Sequence, residues 1–348
     1  MESKTSRSNP RVTAARTARY ASSRSASRSF NIERPPIIIE IGSSVVRVGF
    51  AESFKPQHIF PFVSKAIQRS QRGSETQWYS ILSPIIDETY DRLMVNPSTR
   101  RVVCVHSHYP ERALVAALQQ ILWNRGVPAL CFVSGLEMLP VALGWKRGMI
   151  VQVGSDEAVC VAHVDGHILP YTYQSVPCGY KSVLDDDAKI QRDWNSTMDQ
   201  LFLDERNPSS LVFGVLKCLE ASPRDTLVYV VSNIVFCGEA ILLFPDLPRR
   251  VGKKIRALLE GTTEQLEATA DRSEASEQKE EKVDETQLTS VPIRIDTLRP
   301  LADRLAVTSS APYRPDLISW TGTSLWAAVW YKYDGEETRF SWTFAPTE

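Results

Sequence analysis

The stretch at residues 37–50, IIIEIGSSVVRVGF, constrains the fold more than any other in the chain. Three consecutive isoleucines with Glu40 behind them read as a strand buried on both faces, because a half-exposed strand would alternate apolar with polar residues. Gly42-Ser43-Ser44 reverses the chain, and residues 45–50 return as a second strand. A hairpin tip of this composition offers backbone N–H groups that can cradle phosphate. Residues 149–153, the turn Gly154-Ser155-Asp156 and a return strand at 158–163 repeat the device. Each hairpin opens a run of alternating strands and helices, which predicts a duplicated α/β fold around a cleft.

The intervening pattern fits that reading. Residues 64–80 are polar and lack period, 81–94 read as a helix, and Val95-Asn96-Pro97 stops it, since proline cannot continue a helix. A short buried strand follows at 101–105. Pro110 suits a first helical turn, Leu114, Ala117, Leu118, Ile121 and Leu122 recur at a period of 3.6, and Gly126 ends the helix. Residues 127–133 read as a strand, and Ser134-Gly135-Leu136-Glu137 has the spacing of a capping box for a helix through Leu143. In the second half, helices are predicted at 211–219, 245–259 and 320–330, an apolar segment at 227–230, and a strand at 291–295.

With 348 residues, of which 43% are hydrophobic, the chain is long enough for two lobes, and its net charge of −1 gives no overall pull toward nucleic acid or anionic membrane. The charge is uneven. Residues 1–34 carry a balance of +6 and residues 260–286 a balance of −7. Both are poor in large apolar groups and read as disordered. The Arg/Ser richness of the tail mimics a mitochondrial transit peptide. No apolar run approaches the ~18 residues of a membrane span. The six cysteines are scattered singly and read as buried reduced thiols, not zinc ligands or a redox pair. His106 and His108 share a strand face but lack a third ligand. Asp185-Asp186-Asp187 reads as a solvated run, Ser175 and Cys178 lack His/Asp partners, and Trp326 and Trp330, four apart, read as core or interface.

The first hairpin resembles the phosphate hairpin of actin and actin-related proteins. Gly42-Ser43 and Gly49-Phe50-Ala51 match, while Glu40 stands for the family's Asp and Arg47 for its Lys. Asn233-Ile234-Val235-Phe236-Cys237-Gly238 followed by Phe244-Pro245 is similar to the family's later nucleotide-side loop. Ala311-Pro312 through Trp320-Thr321-Gly322 resembles its late Ala-Pro-Pro…Trp-Ile-Gly-Gly segment, and Val127-Pro128-Ala129 its linker-side strand. Within the family, Leu93-Met94-Val95-Asn96-Pro97 with Arg100-Arg101-Val102-Val103, and the Pro177-Cys178-Gly179 turn, are most like the divergent branch at the pointed end of dynactin. The resemblance implies an actin-like, two-lobed α/β fold, the one shared by actin, heat-shock chaperones and sugar kinases, with hairpin-led sheets and reduced outer subdomains. It divides the chain into a basic tail at 1–33, a small lobe at 34–148 plus 312–348, and a large lobe at 149–311 with an acidic insert at 260–290.

The same resemblance argues against catalysis. In the second hairpin Gln152 and Ser155 replace two metal-side aspartates, Gly135 stands where the family orients its water with Gln, Glu239 replaces a glycine, and Asp316 replaces a late Lys. Phosphoryl transfer depends almost wholly on such positioning and electrostatics. What remains is a vestigial nucleotide cleft of Glu40, Gly42, Ser43, Arg47, Gly154, Ser155 and Gly238, in which ATP or ADP could be held without hydrolysis, with no catalytic residue and no metal ligand. The segments between Pro61 and Val95, and between Gly179 and Asn233, are shorter than in conventional actin and belong to the same pole. A head-to-tail filament stops where a subunit has one normal and one stripped face. The expected function is therefore a non-enzymatic cap on the actin-like filament of dynactin, in the cytoplasm and cytoskeleton. Its partners would be the filament subunit and the other pointed-end subunits, with dynein indirectly, and no nucleic acid. The alternatives are a subunit of a chromatin-remodelling complex, for which the basic tail would serve as a nuclear or DNA-contacting arm, and a slow ATPase using Glu40 and Asp156.

Overall fold

The computed structural model describes residues 34–42, 44–61, 74–106, 112–181, 198–261, 293–309, 313–330 and 342–344. The basic tail, Ser43, Pro110, His108, Asp185-Asp186-Asp187 and nearly all of the acidic insert lie outside them.

Two mixed six-stranded sheets organise the chain. In the first, β1 (Ile37–Ile41) pairs antiparallel with β2 (Val45–Phe50), which pairs antiparallel with β3 (His58–Pro61). On its other side β1 runs parallel to β4 (Val102–His106), and β4 runs parallel to β5 (Ala129–Ser134). The second sheet repeats this order. There, β6 (Arg147–Val153) pairs antiparallel with β7 (Ala158–Val164), and β7 with β8 (His167–Ile168) and β9 (Gln174–Val176). On the far side β6 runs parallel to β10 (Ile234–Cys237) and β10 to β11 (Val307–Ser309). A last strand, β12 (Thr343–Phe344), closes the first sheet beside β5. The expected duplication is thus present as two sheets of one connectivity.

Alternation along β1 explains the layering. Ile37, Ile39 and Ile41 face α1 (Glu75–Leu93) and α2 (Arg112–Asn124), packing with Leu82, Ile86, Leu118 and Ile121. Ile38 faces the other way, with Val103, Val133 and Met138 of α3 (Gly135–Leu143) and Trp320 and Trp326 of α8 (Ile318–Trp330). The same two helices serve the second sheet, because Leu136, Leu139 and Ile318 pack on Ile150, Val161 and Cys237. The outer face of that sheet is covered by α4 (Leu211–Ala221), α5 (Arg224–Val231) and α7 (Leu247–Glu260). A short α6 (Glu239–Leu243) follows β10. The layers therefore run helix, sheet, helix, sheet, helix, and α3 with α8 forms the shared middle.

Several expectations need correction. The first helix begins at Glu75, not 81, because Ser74 and Gln77 form a reciprocal capping box and Trp78 is buried with Leu82. The capping box expected at Ser134 is not formed: Ser134 is the N-cap of α3 without a side-chain cap bond. The segment at 227–230 belongs to helix α5. The strand expected at 291–295 is replaced, over its described part, by an irregular connection and a 3-10 turn at Ile295–Thr297, where the Arg294 N–H donates to Glu220 Oε1 at 3.0 Å and not to a strand. The six cysteines are free and buried, and burial pushes Cys131, Cys178, Cys218 and Cys237 up to about 12, so their thiols are inert at neutral pH. Among the described residues no helix is long and apolar enough to cross a membrane.

The middle layer has no slack at Gly322. A Cβ there would lie 1.8 Å from the Met138 carbonyl oxygen of α3. Gly322→Ala is therefore expected to destabilise the protein by about 2 kcal/mol or more through overpacking, even though alanine favours an isolated helix by about 1 kcal/mol. Urea unfolding measures it, and a neutral or stabilising outcome would contradict the close approach.

Candidate functional site

The two hairpins are bridged by Glu239 and Tyr180, near the N-terminal end of α8 at Ser319. In the first, Glu40 and Arg47 are direct register partners on β1 and β2. Both side chains are buried, at 9% and 7% exposure, which for charged groups demands compensation. Their contact is loose, with Arg47 Nη1 3.7 Å from Glu40 Oε2. The tighter partner of Arg47 is Glu239, the first residue of α6: Nη2 donates to Glu239 Oε1 at 3.0 Å. Ser44 Oγ donates to Glu239 Oε2 at 2.8 Å, and the Tyr180 hydroxyl reaches the same oxygen at 3.4 Å.

The backbone places these groups with little freedom. Gly238 precedes Glu239 at φ 101°, where side chains are rarely tolerated, and a Cβ would stand 2.3 Å from the Val153 carbonyl oxygen. The Gly238 N–H donates to the Pro315 carbonyl at 2.9 Å. Tyr180 is held over the second hairpin because its N–H donates to the Gly154 carbonyl at 3.1 Å and the Lys181 N–H to the Ser155 carbonyl at 2.9 Å. Gly179 makes this approach feasible, since a Cβ there would stand 2.2 Å from the Ser155 oxygen.

Of the residues expected from the sequence, Glu40, Arg47 and Gly238 are gathered here. Gly42 and Gly154 sit at their turns, but each N–H is spent within its own hairpin, on Val45 and Glu157 at 2.9 Å. That corrects the expectation of free phosphate donors at those two positions. Ser155 is buried and its hydroxyl donates to Asp156 at 2.6 Å, while Asp156 pairs with Lys181 at 3.4 Å. Ser43 lies outside the described residues. Gly135 has a packing reason for lacking a side chain, because a Cβ would come within 2.8 Å of Ser319 Oγ.

The electrostatics are acidic. Burial pushes the Glu40 carboxyl above its ordinary range, opposed by the Arg47 guanidinium and reinforced by the nearby Asp316 and Glu239 charges. Burial also raises the Tyr180 phenol, helped by the Glu239 charge, so it remains a donor. A nucleotide's phosphate chain needs free N–H donors and unpaired cations. Here Arg47 and Ser44 are engaged by Glu239, and the Gly42 and Gly154 amides are engaged locally. Ser319 Oγ lies close enough to Glu40 to favour its charged form, and Arg47 Nε, buried without a hydrogen-bond partner among the described residues, suits an ordered water. The described residues do not fit ATP or ADP phosphates in this arrangement. Among the described residues no group of three or more His, Cys, Asp or Glu side chains converges as a metal site.

Sequence reasoning missed Glu239, Ser44 and Tyr180 as site residues. A carboxylate after a glycine at a strand end was a visible signal, but its partners lie 192 and 195 residues away. No protein-family model matches the chain.

Because burial favours the neutral form of Glu40, this group stabilises the fold at low pH and loses that contribution as pH rises above the unfolded value of 4.5 toward its elevated folded value. Glu40→Gln escapes the loss. Melting temperatures measured from pH 5 to pH 8 should show the variant gaining on the wild type as pH rises; a flat or opposite trend would show that Arg47 outweighs burial.

Proposed function

We infer that the chain is a non-catalytic, actin-like subunit that caps the pointed end of the actin-like filament of dynactin, in the service of dynein-driven transport along microtubules. The observation that carries the fold part of this reading is the shared connectivity of the two sheets, with their equivalent helices α3 and α8 back to back between them. That arrangement is what an actin-like duplication requires, and it agrees with the resemblance of residues 37–51, 233–245 and 311–322.

The capping part rests on asymmetry. Among the described residues, α1 is the only helix of more than one turn between β3 and β4, and it packs on its own sheet. Between β9 and β10, α4 and α5 likewise pack on theirs. Neither segment, so far as described, builds an outer layer beyond its sheet. The middle layer exposes apolar side chains, Val141 on α3 and Leu325, Val329 and Trp330 on α8; Ile59 on β3 and Met94 after α1 are exposed as well. On this reading the apolar stretch of α8 meets a single filament neighbour, and the shortened segments offer no seat for the next. A stable contact of this kind buries on the order of 1,200–2,000 Å².

The site chemistry supports the reading of no turnover. Among the described residues, Arg47 is engaged by Glu239 and Gly135 has no side chain to align a water on a phosphoryl group. Purified protein should release phosphate from ATP at background rate, and turnover abolished by Glu40→Ala would establish the slow-ATPase alternative instead.

Affinity capture of tagged full-length chain followed by mass spectrometry tests the function. Recovery of the dynactin filament subunit and other pointed-end subunits is expected, with reduced recovery for Leu325→Asp/Val329→Asp. Recovery of chromatin-remodelling subunits alone, or of no actin-like partner, overturns the reading.

A further inference from the structure

Glu239 belongs to the second half of the molecule, yet its carboxylate is bound largely by the first. Ser44 and Arg47, both from the first hairpin, donate to it at 2.8 and 3.0 Å, and Tyr180, anchored on the second hairpin, approaches at 3.4 Å. A hydroxyl, a guanidinium and a phenol converging on one oxyanion form a donor set equally suited to a phosphoryl group. Glu239 is 24% exposed at its side chain whereas Arg47 is 7% exposed, so the carboxylate enters from the open side and the cation waits at the bottom. The alternative counter-ion, Glu40, stands farther off at 3.7 Å. Among the described residues, the buried guanidinium without Glu239 would keep only that loose pair.

We propose that Glu239 is a built-in ligand of an anion site formed by Ser44, Arg47 and Tyr180, standing where a phosphoryl group would sit and tying the two hairpins together so that the chain closes its own cleft. The site is latent: once the carboxylate is removed, the same three side chains take phosphate or pyrophosphate. This assignment needs no partner protein and stands independently of the capping reading.

Thermal unfolding of the full-length chain, at constant ionic strength with and without millimolar sodium pyrophosphate, tests it. Wild type should be indifferent to pyrophosphate. Glu239→Ala should melt lower by roughly 3–8 °C and recover most of that loss with pyrophosphate. The double variant Glu239→Ala/Arg47→Met should not respond. Equal stabilisation of wild type and Glu239→Ala by pyrophosphate, or a Glu239→Ala variant that melts as wild type does, overturns the proposal. If Glu239→Ala does not fold, Glu239→Ser carries the test, since its short side chain also vacates the position between Ser44, Arg47 and Tyr180. A Ser variant unaffected by pyrophosphate counts against the site as the indifferent Ala variant would.

Discussion

The approach of α8 to α3 at Gly322 is the constraint on which the rest of the structure depends. Both sheets bury a face on this helix pair, Ile38 and Val133 from one side and Ile150 and Val161 from the other. The separation of the helices therefore sets the separation of the sheets, and with it the distance between the hairpins above them. At interior packing density, a displacement of even one methyl group must be absorbed somewhere. Trp320 shows how tightly the layer is tied in: its indole N–H donates to the Ser53 carbonyl at 3.0 Å, and Gly49 leaves the space its ring occupies, since a Cβ there would be 3.2 Å away. The glycine in the strand makes room for the tryptophan ring, and the glycine in the helix lets α8 approach α3.

The chemistry above this layer is set by one buried cation. Arg47 enters the fold as the register partner of Glu40, but a buried pair with a 3.7 Å contact repays little of its desolvation. Glu239 supplies the better contact, and Ser44 and Tyr180 satisfy its other oxygen. Relative to the actin pattern that the sequence resembles, Glu40, Arg47 and Glu239 are three departures. Taken singly they look like tolerated drift. Placed together they make one charge network that balances itself, which accounts for the coexistence of a long acid at 40, a forked cation at 47 and a carboxylate at 239.

Legibility in the sequence followed locality. The run IIIEI announced a fully buried strand because nothing else in water tolerates it, and the period of Leu114, Leu118, Ile121 and Leu122 announced α2 with its stop at Gly126, φ 77°. Short edge strands such as β3, β8, β9 and β11 carry too few residues to show a period, and their existence depends on a neighbour already in place. The start of α1 was hidden because its first turns are polar and are held by Ser74 and Gln77, not by apolar spacing. At the site, Glu40, Arg47 and Gly238 were readable from hairpin and loop patterns. Glu239 was visible only as the residue that was not glycine; that it turns back on Arg47 is a property of the assembled halves.

A cleft closed by its own side chains changes what the fold can be used for. In a nucleotide-gated molecule, the ligand stabilises the closed state by its differential affinity, so closure tracks occupancy and can be reversed by loss of the ligand. An intramolecular carboxylate has no such dependence: its effective concentration is fixed by the chain, and Gly238 and Gly179 hold both sides of the network to the second hairpin. On the capping reading this is the behaviour a terminal subunit needs. A filament subunit that adds and leaves benefits from a state that ages with hydrolysis, whereas a subunit defining where a filament ends must present the same face continuously. The network at Arg47 ties the first hairpin to Glu239, and the close approach at Gly322 fixes α8 against α3; on the capping reading these are the two contacts that would keep such a face constant.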